Sequence, residues 1–599
     1  MKVKKTKNPT AYRLAEELMG QKWRILIVLS SVITSAILGI LYPHLMAEAI
    51  NQIVAGVQDA MGTGAAFQLK IETTGRILLA LFAIFVFRGM VGYVGEYVMA
   101  GVAQNLSLSM RKKISDKLNR LPLSFYDRSK KGEILSRTTS DMEKVADTLQ
   151  EGLSQLLNSV VGITGSIAMM LVINKTLTVV VLITVFFSMA AAAIISHKTE
   201  QCHRENQRAL GEYNAGIEEA FTGNLVVKGF NLQDKMVESA MRMSEHLCKT
   251  GKRAQFITYV INPVIRFLNH LGYIAAAVGG AILVIQGKMS IGYIQAFFQY
   301  ISKVAESVMA LAFVVNSMQG AVAAGERVYQ LLDEEEEAPD EASDQSVSNP
   351  KGTVCFEHVR FGYDDENILM EDINIEVKAG SKVAIVGPTG AGKTTFVNLL
   401  MRFYELKGGT IRIDGEDITD MSRKELRSMI GMVLQDTWLF NGTAADNLSY
   451  GKPGASEDEI RQAAVAAKID HFIRTLPHGY ETVLDNEAAV MSEGQKQLFT
   501  IARAILANPV IMVLDEATSS VDTRTESEIQ QAMNRLMEGK TSFIIAHRLS
   551  TIRDADQILV MDKGTIVEQG SHEELMERNG FYTDLYNSQF QRSFKQDLV

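Results

Sequence analysis

The sequence predicts an α-helical membrane domain with six transmembrane helices and long intracellular extensions, followed by an α/β domain. Two observations predict this fold class: long apolar runs crowd the first 330 residues, and short β-rich runs alternate with helical patterns from Lys351 onward. An acidic segment that contains DEEEEAPDEASDQ separates the two parts and is typical of a linker. The predicted domains are therefore residues 1–330, a linker at 331–350, and residues 351–599.

The composition excludes several classes of protein. With 47% hydrophobic and 22% charged residues, the chain is neither disordered nor a collagen nor a disulfide scaffold. A net charge of −9 argues against a nucleic-acid binder, since such domains are usually basic. The three cysteines, Cys202, Cys248 and Cys355, are widely spaced and predict free thiols in a reducing compartment.

Each apolar run is long enough to cross a membrane, since about 20 helical residues span roughly 30 Å of hydrocarbon. Buried core helices explain one such run, but not six in one half of a chain. The basic start, MKVKKTK, places the N-terminus in the cytoplasm, and six spans return the C-terminal half to that side of the plasma membrane. The predicted spans are residues 24–48, 76–98, 152–174, 176–197, 257–287 and 290–324.

The connections between the spans are unequal. The loops after the third and fifth spans are short, whereas residues 100–151 and 198–255 are long, charged and periodic. These two segments predict helices that continue far beyond the bilayer, with short helices at the bottom of each hairpin. Solvated hairpins without a function are the alternative at this point.

A phosphate-binding loop follows the first buried strand of the second domain. Residues 385–395 read IVGPTGAGKTT, after the strand-like KVAIV and before the helix-like FVNLLMRF, which is the context in which GxxxxGK[ST] indicates a P-loop. The backbone N–H groups and the helix N-terminus would hold ATP phosphates, Lys393 would reach the β- and γ-phosphates, and Thr394 would hold Mg²⁺. The nucleotide-binding residues predicted here are Gly387, Pro388, Thr389, Gly390, Ala391, Gly392, Lys393, Thr394 and Thr395.

Two further strand ends carry residues suited to ATP hydrolysis. The apolar run PVIMVLD ends in Asp515, which would deliver a carboxylate to Mg²⁺, and Glu516 would point the other way, toward an attacking water. His547 closes another apolar strand in TSFIIAHRLS. A solvated acidic turn or a structural histidine explains either feature alone. Because strand ends converge on one crevice in a P-loop fold, a joint site is favoured.

The segment MSEGQKQ, residues 491–497, is similar to the LSGGQ signature of the ABC transporter family. The order of motifs also matches that family: an aromatic near the domain start, the P-loop, Gln435 in MVLQD, the signature, Asp515–Glu516, SSVD and His547. Six spans fused before one such domain resemble an exporter-type half-transporter. Residues 125–141, FYDRSKKGEILSRTTSD, resemble the first intracellular coupling segment of that family.

The resemblance implies roles for the matching residues. Tyr363 would stack on adenine, and Gln435 would contact Mg²⁺ or the lytic water. Glu516 would act as general base or water-positioning carboxylate, and His547 would contact the γ-phosphate. The residues implied to act across a dimer, on ATP held by the partner or at the dimer seam, are Ser492, Glu493, Gly494, Gln495 and Asp522. The implied Mg²⁺ ligands are Thr394, Gln435 and Asp515.

Two departures from the family pattern bear on the partner. Glu493 replaces a glycine of the signature, and at ~4 Å and an effective dielectric of ~20 its charge would repel a phosphate charge by about 4 kcal/mol unless it points away. The preceding ETVLDNEAAV lacks the TEVGERG pattern. Both departures resemble the consensus-catalytic subunit of heterodimeric bacterial multidrug exporters. A heterodimer with a second half-transporter is favoured, and a homodimer in which Glu493 is tolerated is the alternative.

Ionisable residues inside the spans are the local indication of a cargo path. Each charge costs roughly 2.5–3.5 kcal/mol at a helix centre, so these residues should face a wet chamber or one another. A translocation cavity and interhelical ion pairs both fit the spacing. The candidate cavity residues are Arg88, Glu96, Arg266, His270, Lys303 and Glu306.

These features predict ATP-driven export of amphipathic small molecules or drugs by alternating access. The expected partners are a second half-transporter, membrane lipid and a small amphipathic substrate, but no nucleic acid. Lipid or peptide export is an alternative within transport, and an ATP-gated channel or regulatory subunit is an alternative of another class. An intact Glu516 and His547 count against gating alone, because gating does not require fast hydrolysis.

Overall fold

A computed structural model describes residues 9–63, 71–340, 349–364, 367–434, 437–484, 491–515, 523–546 and 549–589. The chain forms two compact units. The helical unit comprises residues 1–120 and 129–335, and the α/β unit comprises residues 121–128 and 336–599. The short segment 121–128 therefore belongs to the α/β unit, although both of its chain neighbours belong to the helical unit.

Long helices and a few short ones make up the described part of the helical unit. They are α1 Thr10–Met19, α2 Lys22–Thr63, α3 Ile71–Leu118, α5 Lys131–Thr138, α6 Ser140–Ile173, α7 Lys175–Thr222, α8 Asn224–Gly229, α9 Gln233–Ile285 and α10 Ile291–Leu332. Within the described residues, six helical stretches are long and apolar enough to cross a membrane. The 53 residues of α9 measure about 80 Å at 1.5 Å per residue, well beyond the hydrocarbon thickness, so this helix extends outside the predicted span.

Local chemistry sets where these helices break. The hairpin between α6 and α7 turns at Asn174, whose side chain caps α7 by accepting a hydrogen bond from the Leu177 amide at 3.0 Å. The α9–α10 connection turns at Gly287, whose φ of +67° suits glycine. Both hairpin turns join apolar helices without a long loop, as the sequence predicts.

One hydrophobic cluster holds the helical bundle together near these two turns. We call it the end cluster, and Tyr300 of α10 anchors it by donating a hydrogen bond from its hydroxyl to the Ile40 carbonyl at 2.8 Å. Burial of such side chains stabilises the bundle by about 25 cal/mol per Å² of apolar surface, where water is the alternative environment. The buried residues of the end cluster are Ala47, Met170, Leu177, Val181, Ala276, Ala296, Phe297, Tyr300 and Ile301.

In the described residues, the α/β unit contains a six-stranded sheet, a four-stranded sheet and a two-stranded sheet. Its strands are β1 Val354–Phe361, β2 Met370–Val377, β3 Lys382–Val386, β4 Gly408–Ile413, β5 Glu416–Asp417, β6 Ile430–Val433, β7 Gly442–Thr443, β8 Val483–Leu484, β9 Ile511–Asp515, β10 Thr541–Ile545, β11 Gln557–Asp562 and β12 Thr565–Gly570. Its helices are α4 Leu123–Arg128, α11 Lys393–Leu400, α12 Arg423–Met429, α13 Ala444–Ser449, α14 Glu457–Ala466, α15 Asp470–Thr475, α16 Glu493–Ala507, α17 Thr523–Met537, α18 Leu549–Arg553, α19 His572–Arg578 and α20 Phe581–Gln589.

The strand order of the larger sheet positions the site. The order is β12-β11-β3-β10-β9-β6, and every neighbouring pair is parallel except β11 and β12. Strands β3 and β10 lie inside the sheet and are almost wholly buried, although β10 begins with the polar residues Thr541 and Ser542. Because parallel strands point the same way, the carboxyl ends of β3, β9 and β10 meet at one edge.

The acidic segment after α10 is partly held by the α/β unit. Arg423 of α12 is buried, and its guanidinium donates to the Ala338 carbonyl and to Asp340, both at 2.7 Å. The same guanidinium donates to Glu405 at 2.7 Å. The part of the predicted linker up to Asp340 is therefore docked through a buried arginine. Residues 341–348 lie outside the described residues.

Candidate nucleotide-binding site

The P-loop joins β3 to α11 at the carboxyl edge of the sheet. Gly392 precedes α11 with a φ of +102°, a left-handed conformation that favours glycine. At Gly387 a Cβ atom would lie 2.3 Å from the Met561 carbonyl oxygen, so only glycine fits there. The loop is thereby folded tightly enough to present backbone N–H groups at the start of α11, the arrangement that binds phosphate.

Lys393 lies over this loop. Its ammonium donates hydrogen bonds to the carbonyls of Gly387 at 2.8 Å and Pro388 at 3.0 Å. Burial lowers the pKa of Lys393, and the nearby Asp515 carboxylate opposes this change by favouring the charged form. The structure thus brings together the lysine and the carboxylate that the sequence predicted from segments about 120 residues apart.

The two threonines after Lys393 have different surroundings. Thr394 is exposed, so its hydroxyl is accessible to a ligand. Thr395 is buried, and its hydroxyl lies 2.9 Å from the Tyr363 hydroxyl. An exposed hydroxyl at Thr394 and a carboxylate at Asp515 are oxygen ligands of the kind that Mg²⁺ prefers. Thr395 instead positions the predicted adenine-stacking residue.

Tyr363 is held by aromatic neighbours as well as by Thr395. Its ring makes perpendicular contacts with Phe361 and Tyr404, each with centroids 5.1 Å apart. Edge-to-face contacts of this kind fix the ring plane. The side chain is still 43% exposed, so a ring face is available for stacking.

Sequence reasoning missed Tyr404, which links Tyr363 to α4. The Tyr404 hydroxyl donates a hydrogen bond to the Asp127 carboxylate, and Arg128 donates to the Tyr363 carbonyl at 3.3 Å. Burial, followed by the hydrogen bond to Asp127, raises the pKa of Tyr404. The resemblance of residues 125–141 to a coupling segment was the one sequence signal that pointed to this region.

The signature segment begins α16. Ser492 and Gln495 form a capping box. The Ser492 hydroxyl accepts a hydrogen bond from the backbone N–H of Gln495 at 3.3 Å, and the side-chain oxygen of Gln495 accepts one from the backbone N–H of Ser492 at 2.9 Å. The Ser492 hydroxyl proton is left for an external acceptor such as a phosphate oxygen. Gly494, by contrast, is buried.

Glu493, the departure from the signature pattern, is paired. Its carboxylate lies 2.9 Å from the ammonium of Lys496, one helical turn further on. The Glu493 side chain is 65% exposed, whereas that of Lys496 is 16% exposed. The negative charge that the sequence placed against phosphate is therefore accompanied by a positive charge on the same helix.

Four predicted site residues, Gln435, Glu516, Asp522 and His547, lie outside the described residues. The strands that precede three of them are described: β6 ends at Val433, β9 at Asp515 and β10 at Ile545. These strands are neighbours in the parallel sheet and end at the edge that carries the P-loop.

The six ionisable residues of the spans are not paired with one another. The Arg88 guanidinium packs over Gly39 of α2, and the Lys303 stem packs against Gly162 of α6. The other four side chains are exposed. Across the described parts of the bundle, no ion pair joins any two of these six residues, so the interhelical ion-pair alternative is not formed within this chain.

A bundle of six membrane-capable helical stretches, followed by a P-loop unit with a signature helix, defines an ATP-binding transport protein of the membrane. Comparison with known protein families supports this class of protein. Residues 25–308 match the ABC transporter transmembrane region, and residues 370–519 match the ABC transporter family. The chain belongs to the ABC transporters and is an exporter-type half-transporter, as its motifs predicted.

Two curated relatives and one solved structure cover nearly the same length. The chain is 44% identical over 530 residues to the fatty acid ABC transporter ATP-binding/permease protein of Mycobacterium bovis, covering 88% of this chain and 83% of the relative. It is 33% identical to the ATP-dependent lipid A-core flippase of Syntrophus aciditrophicus, and the match covers 93% of this chain and 94% of the relative. A bacterial Atm1-family ABC exporter with ATP bound superposes with a TM-score of 0.72 at 28% identity, covering 94% and 98%.

These findings confirm the broad predictions. The chain is a multi-pass membrane protein that binds ATP and couples an ATPase to transport. Exporters of this family work as dimers.

Proposed function

We propose that this chain exports lipid-like amphiphiles with an acyl chain across the bacterial plasma membrane, using ATP hydrolysis, as one half of a dimer. The observation that carries the proposal is a P-loop lysine and a strand-end carboxylate at one sheet edge, in a chain whose relatives are named for fatty acid and lipid A-core transport. The sequence alone favoured drugs. The relatives' names favour the lipid alternative, while both substrates share an amphipathic character.

In the proposed mechanism, each residue of the ATP site has its own role. Tyr363 stacks on adenine, the N–H groups of residues 387–395 hold phosphate, and Lys393 neutralises phosphate charge. Thr394, Asp515 and Gln435 would hold Mg²⁺, which would supply positive charge against the negative charge of the phosphates. Glu516 orients the attacking water and His547 contacts the γ-phosphate. Moving Lys393 from Gly387 and Pro388 to phosphate exchanges neutral acceptors for charged ones, which is favourable for an ammonium.

The contacts of Tyr404 support a direct route from nucleotide to the helices. Tyr404 touches Tyr363 with its ring and Asp127 of α4 with its hydroxyl. Because α4 is covalently continuous with α3 and α5, a change in the position of Tyr363 on nucleotide binding is passed to the membrane-spanning helices. Alternating access then follows from closure of two nucleotide units and resetting by hydrolysis.

An exposed apolar surface supports a second subunit. The short helix α8 and its flanks expose large hydrophobic side chains: Phe221 is 83% exposed, Leu225 87% and Phe230 74%. This helix joins the charged extensions of α7 and α9, outside the predicted spans, so lipid does not cover it. A partner half-transporter covers α8 and completes the ATP site with its own signature segment. Glu493 favours a partner that is a different chain.

Transport into sealed inside-out vesicles tests the proposed substrate. Vesicles containing this chain and its partner half-transporter accumulate tritiated palmitate when ATP is added, and they accumulate a cationic dye at least about fivefold less efficiently. The control variant Lys393→Ala abolishes uptake without changing vesicle tightness. Dye uptake without palmitate uptake would restore drug export as the better function.

Purification of the chain alone tests the heterodimer. A lone chain with little ATPase activity, which gains it when the partner is added, agrees with the proposal. A stable lone dimer with full ATPase activity would contradict it.

A further inference from the structure

A cavity of about 390 Å³ lies at the end of the bundle that carries the α6–α7 and α9–α10 turns. This volume falls within the range of small-molecule sites. It lies beside the end cluster, since Met169, Ile173, Met289 and Tyr293 both line it and pack against that cluster. The cavity therefore has packed walls. The polar residues of its lining are His44, Lys288, Ser290 and Tyr293.

Two buried polar atoms of the lining lack a partner. Neither His44 Nδ1 nor Ser290 Oγ has a hydrogen-bond partner among the described residues. Ser290 precedes α10 at the N-cap position, yet its hydroxyl does not cap the helix. An unsatisfied buried polar atom costs about 1–3 kcal/mol, so two of them in one cavity call for an explanation. A ligand that hydrogen-bonds to both atoms supplies one.

The charges around the cavity indicate the kind of ligand. Lys288 contributes an exposed ammonium, and its side chain has no ion-pair partner in the part of the chain described. The start of α10 adds the partial positive charge of a helix N-terminus. Glu48 lies 3.7 Å from Nε2 of His44, and within the described residues no ion pair joins it to Lys288. One positive charge, that of Lys288, is left for a ligand anion.

The imidazole is held in place for such a ligand. The His44 ring stacks on Tyr293 with centroids 5.8 Å apart and an interplanar angle of 29°. With Nε2 directed to Glu48, the remaining Nδ1 is the atom without a partner. Either ring nitrogen of a histidine can carry a proton, so Nδ1 can donate a hydrogen bond to a bound oxyanion. The apolar lining residues suit an alkyl chain.

We infer that this cavity, next to the α6–α7 and α9–α10 turns, binds the oxyanion head of a single-chain or phospholipid amphiphile. Lys288, Ser290 and His44 hold the head, and Met169, Met289 and Ile173 contact the first methylenes. A fatty carboxylate and a lipid phosphate share this chemistry. The inference rests on the proposed function for the acyl nature of the cargo, and it adds a specific binding site at the end of the bundle opposite α1.

Equilibrium binding of tritiated palmitate to the purified full-length chain in nanodiscs, without ATP, tests the inference. Lys288→Gln weakens binding about tenfold, and Ser290→Ala about threefold, because each removes a donor to a charged ligand. Lys288→Arg keeps binding within about threefold of the unchanged protein. Phosphatidic acid competes with palmitate, whereas hexadecanol and inorganic phosphate do not, which separates an amphiphilic anion from an alkyl chain or a free anion alone.

Lys175→Gln is the matched control. Lys175 is exposed at the same end of the bundle, two residues after the lining residue Ile173, but it does not line the cavity. Lys175→Gln leaves binding within about twofold and keeps the basal ATPase activity of the unchanged protein. A loss at Lys175→Gln equal to that at Lys288→Gln would assign the effect to surface charge and overturn the site. Unchanged binding in a Lys288→Gln, Ser290→Ala double variant would do the same.

The outcome is separable from that of the proposed function. Cavity-dependent palmitate binding without ATP-driven palmitate transport would leave the site standing and refute lipid export. Palmitate transport with binding insensitive to these substitutions would do the reverse.

Discussion

Lys496 decides whether the unusual signature residue Glu493 harms ATP binding. The Lys496 ammonium lies 2.9 Å from the Glu493 carboxylate and is itself mostly buried, so it is well placed to stay there. Removing the lysine charge by Lys496→Gln leaves the carboxylate alone at the start of α16. In the proposed dimer, this helix N-terminus faces ATP held by the partner.

The size of the effect follows from Coulomb's law with solvent screening. Glu493 is largely exposed, so an effective dielectric of about 40 is appropriate, and at about 8 Å a unit charge repels a phosphate charge by about 1 kcal/mol. With the lysine adjacent, most of this repulsion cancels. Lys496→Gln is therefore expected to lower kcat/KM for ATP about fivefold at most, since about 1 kcal/mol is about fivefold and 1.4 kcal/mol is tenfold. Glu493→Gln removes the acid and stays within about threefold of the unchanged protein.

The double variant provides the decisive comparison with the two single variants. Combining Glu493→Gln with Lys496→Gln restores kcat/KM to within about threefold, because the charge that repels phosphate is gone. The assay is steady-state ATPase activity in nanodiscs with the partner present, at about 50 mM and about 500 mM salt. The loss at Lys496→Gln shrinks at high salt because an exposed charge is screened.

A matched ion pair elsewhere controls for general effects. The Lys452 ammonium lies 2.6 Å from the carboxylate of Glu459, which belongs to the first turn of α14. The hydrogen bond from Lys452 is the largest of the contacts that lower the pKa of Glu459 to about 2. Lys452→Gln should change kcat/KM less than about twofold, since exposed pairs contribute little. A double variant as impaired as Lys496→Gln, or no loss at Lys496→Gln, would refute the reasoning.

Three further predictions concern the α/β unit. Tyr404→Phe removes the hydrogen bond to Asp127 but keeps the aromatic contacts. Transport per ATP hydrolysed therefore falls at least about threefold, while basal ATPase activity stays within about twofold. An equal loss of transport and of ATPase activity would indicate general damage to the protein. Arg423→Ala leaves Asp340 and Glu405 without their buried partner. It is expected to lower the free energy of unfolding of the α/β unit by about 2 kcal/mol, measured by urea unfolding of the detergent-solubilised chain. An unchanged urea midpoint would show that the docked segment is not stabilising. Tyr363→Ala raises KM for ATP about fivefold, because a stacking contact of about 1 kcal/mol is lost. Tyr363→Phe keeps KM for ATP near that of the unchanged protein. An equal rise in KM for both variants would assign the role of Tyr363 to its hydroxyl contact with Thr395.

Local sequence was sufficient for the P-loop but not for its connections. The glycines, Lys393 and the flanking strand and helix are contiguous, so their spacing alone predicts the loop. The contact between Tyr404 and Asp127 joins residues 277 positions apart, and no periodicity in one chain reports such a pair. The pairing of Glu493 with Lys496 is a local i, i+3 contact on a helix, so helix spacing could have found it.

The membrane helices show a similar division. Apolar runs predict where the chain crosses the bilayer, because charge is costly there. They do not predict where a helix ends: α2 continues to Thr63 although its predicted span ends at residue 48, since hydrogen bonding along a helix is independent of hydrocarbon. His44 follows Pro43 inside the first apolar run, and only the structure places it beside Lys288 and Ser290 in one cavity.

ATP-driven accumulation of palmitate against its gradient is the most direct test of the central claim. Inside-out vesicles that contain the chain and its partner half-transporter are compared with vesicles that contain Glu516→Gln, which removes the carboxylate that we propose orients water. We predict that the unchanged protein accumulates palmitate above the external concentration and that Glu516→Gln accumulates none. Full palmitate flux in the Glu516→Gln protein with ATP bound would contradict the account and indicate an ATP-gated pathway.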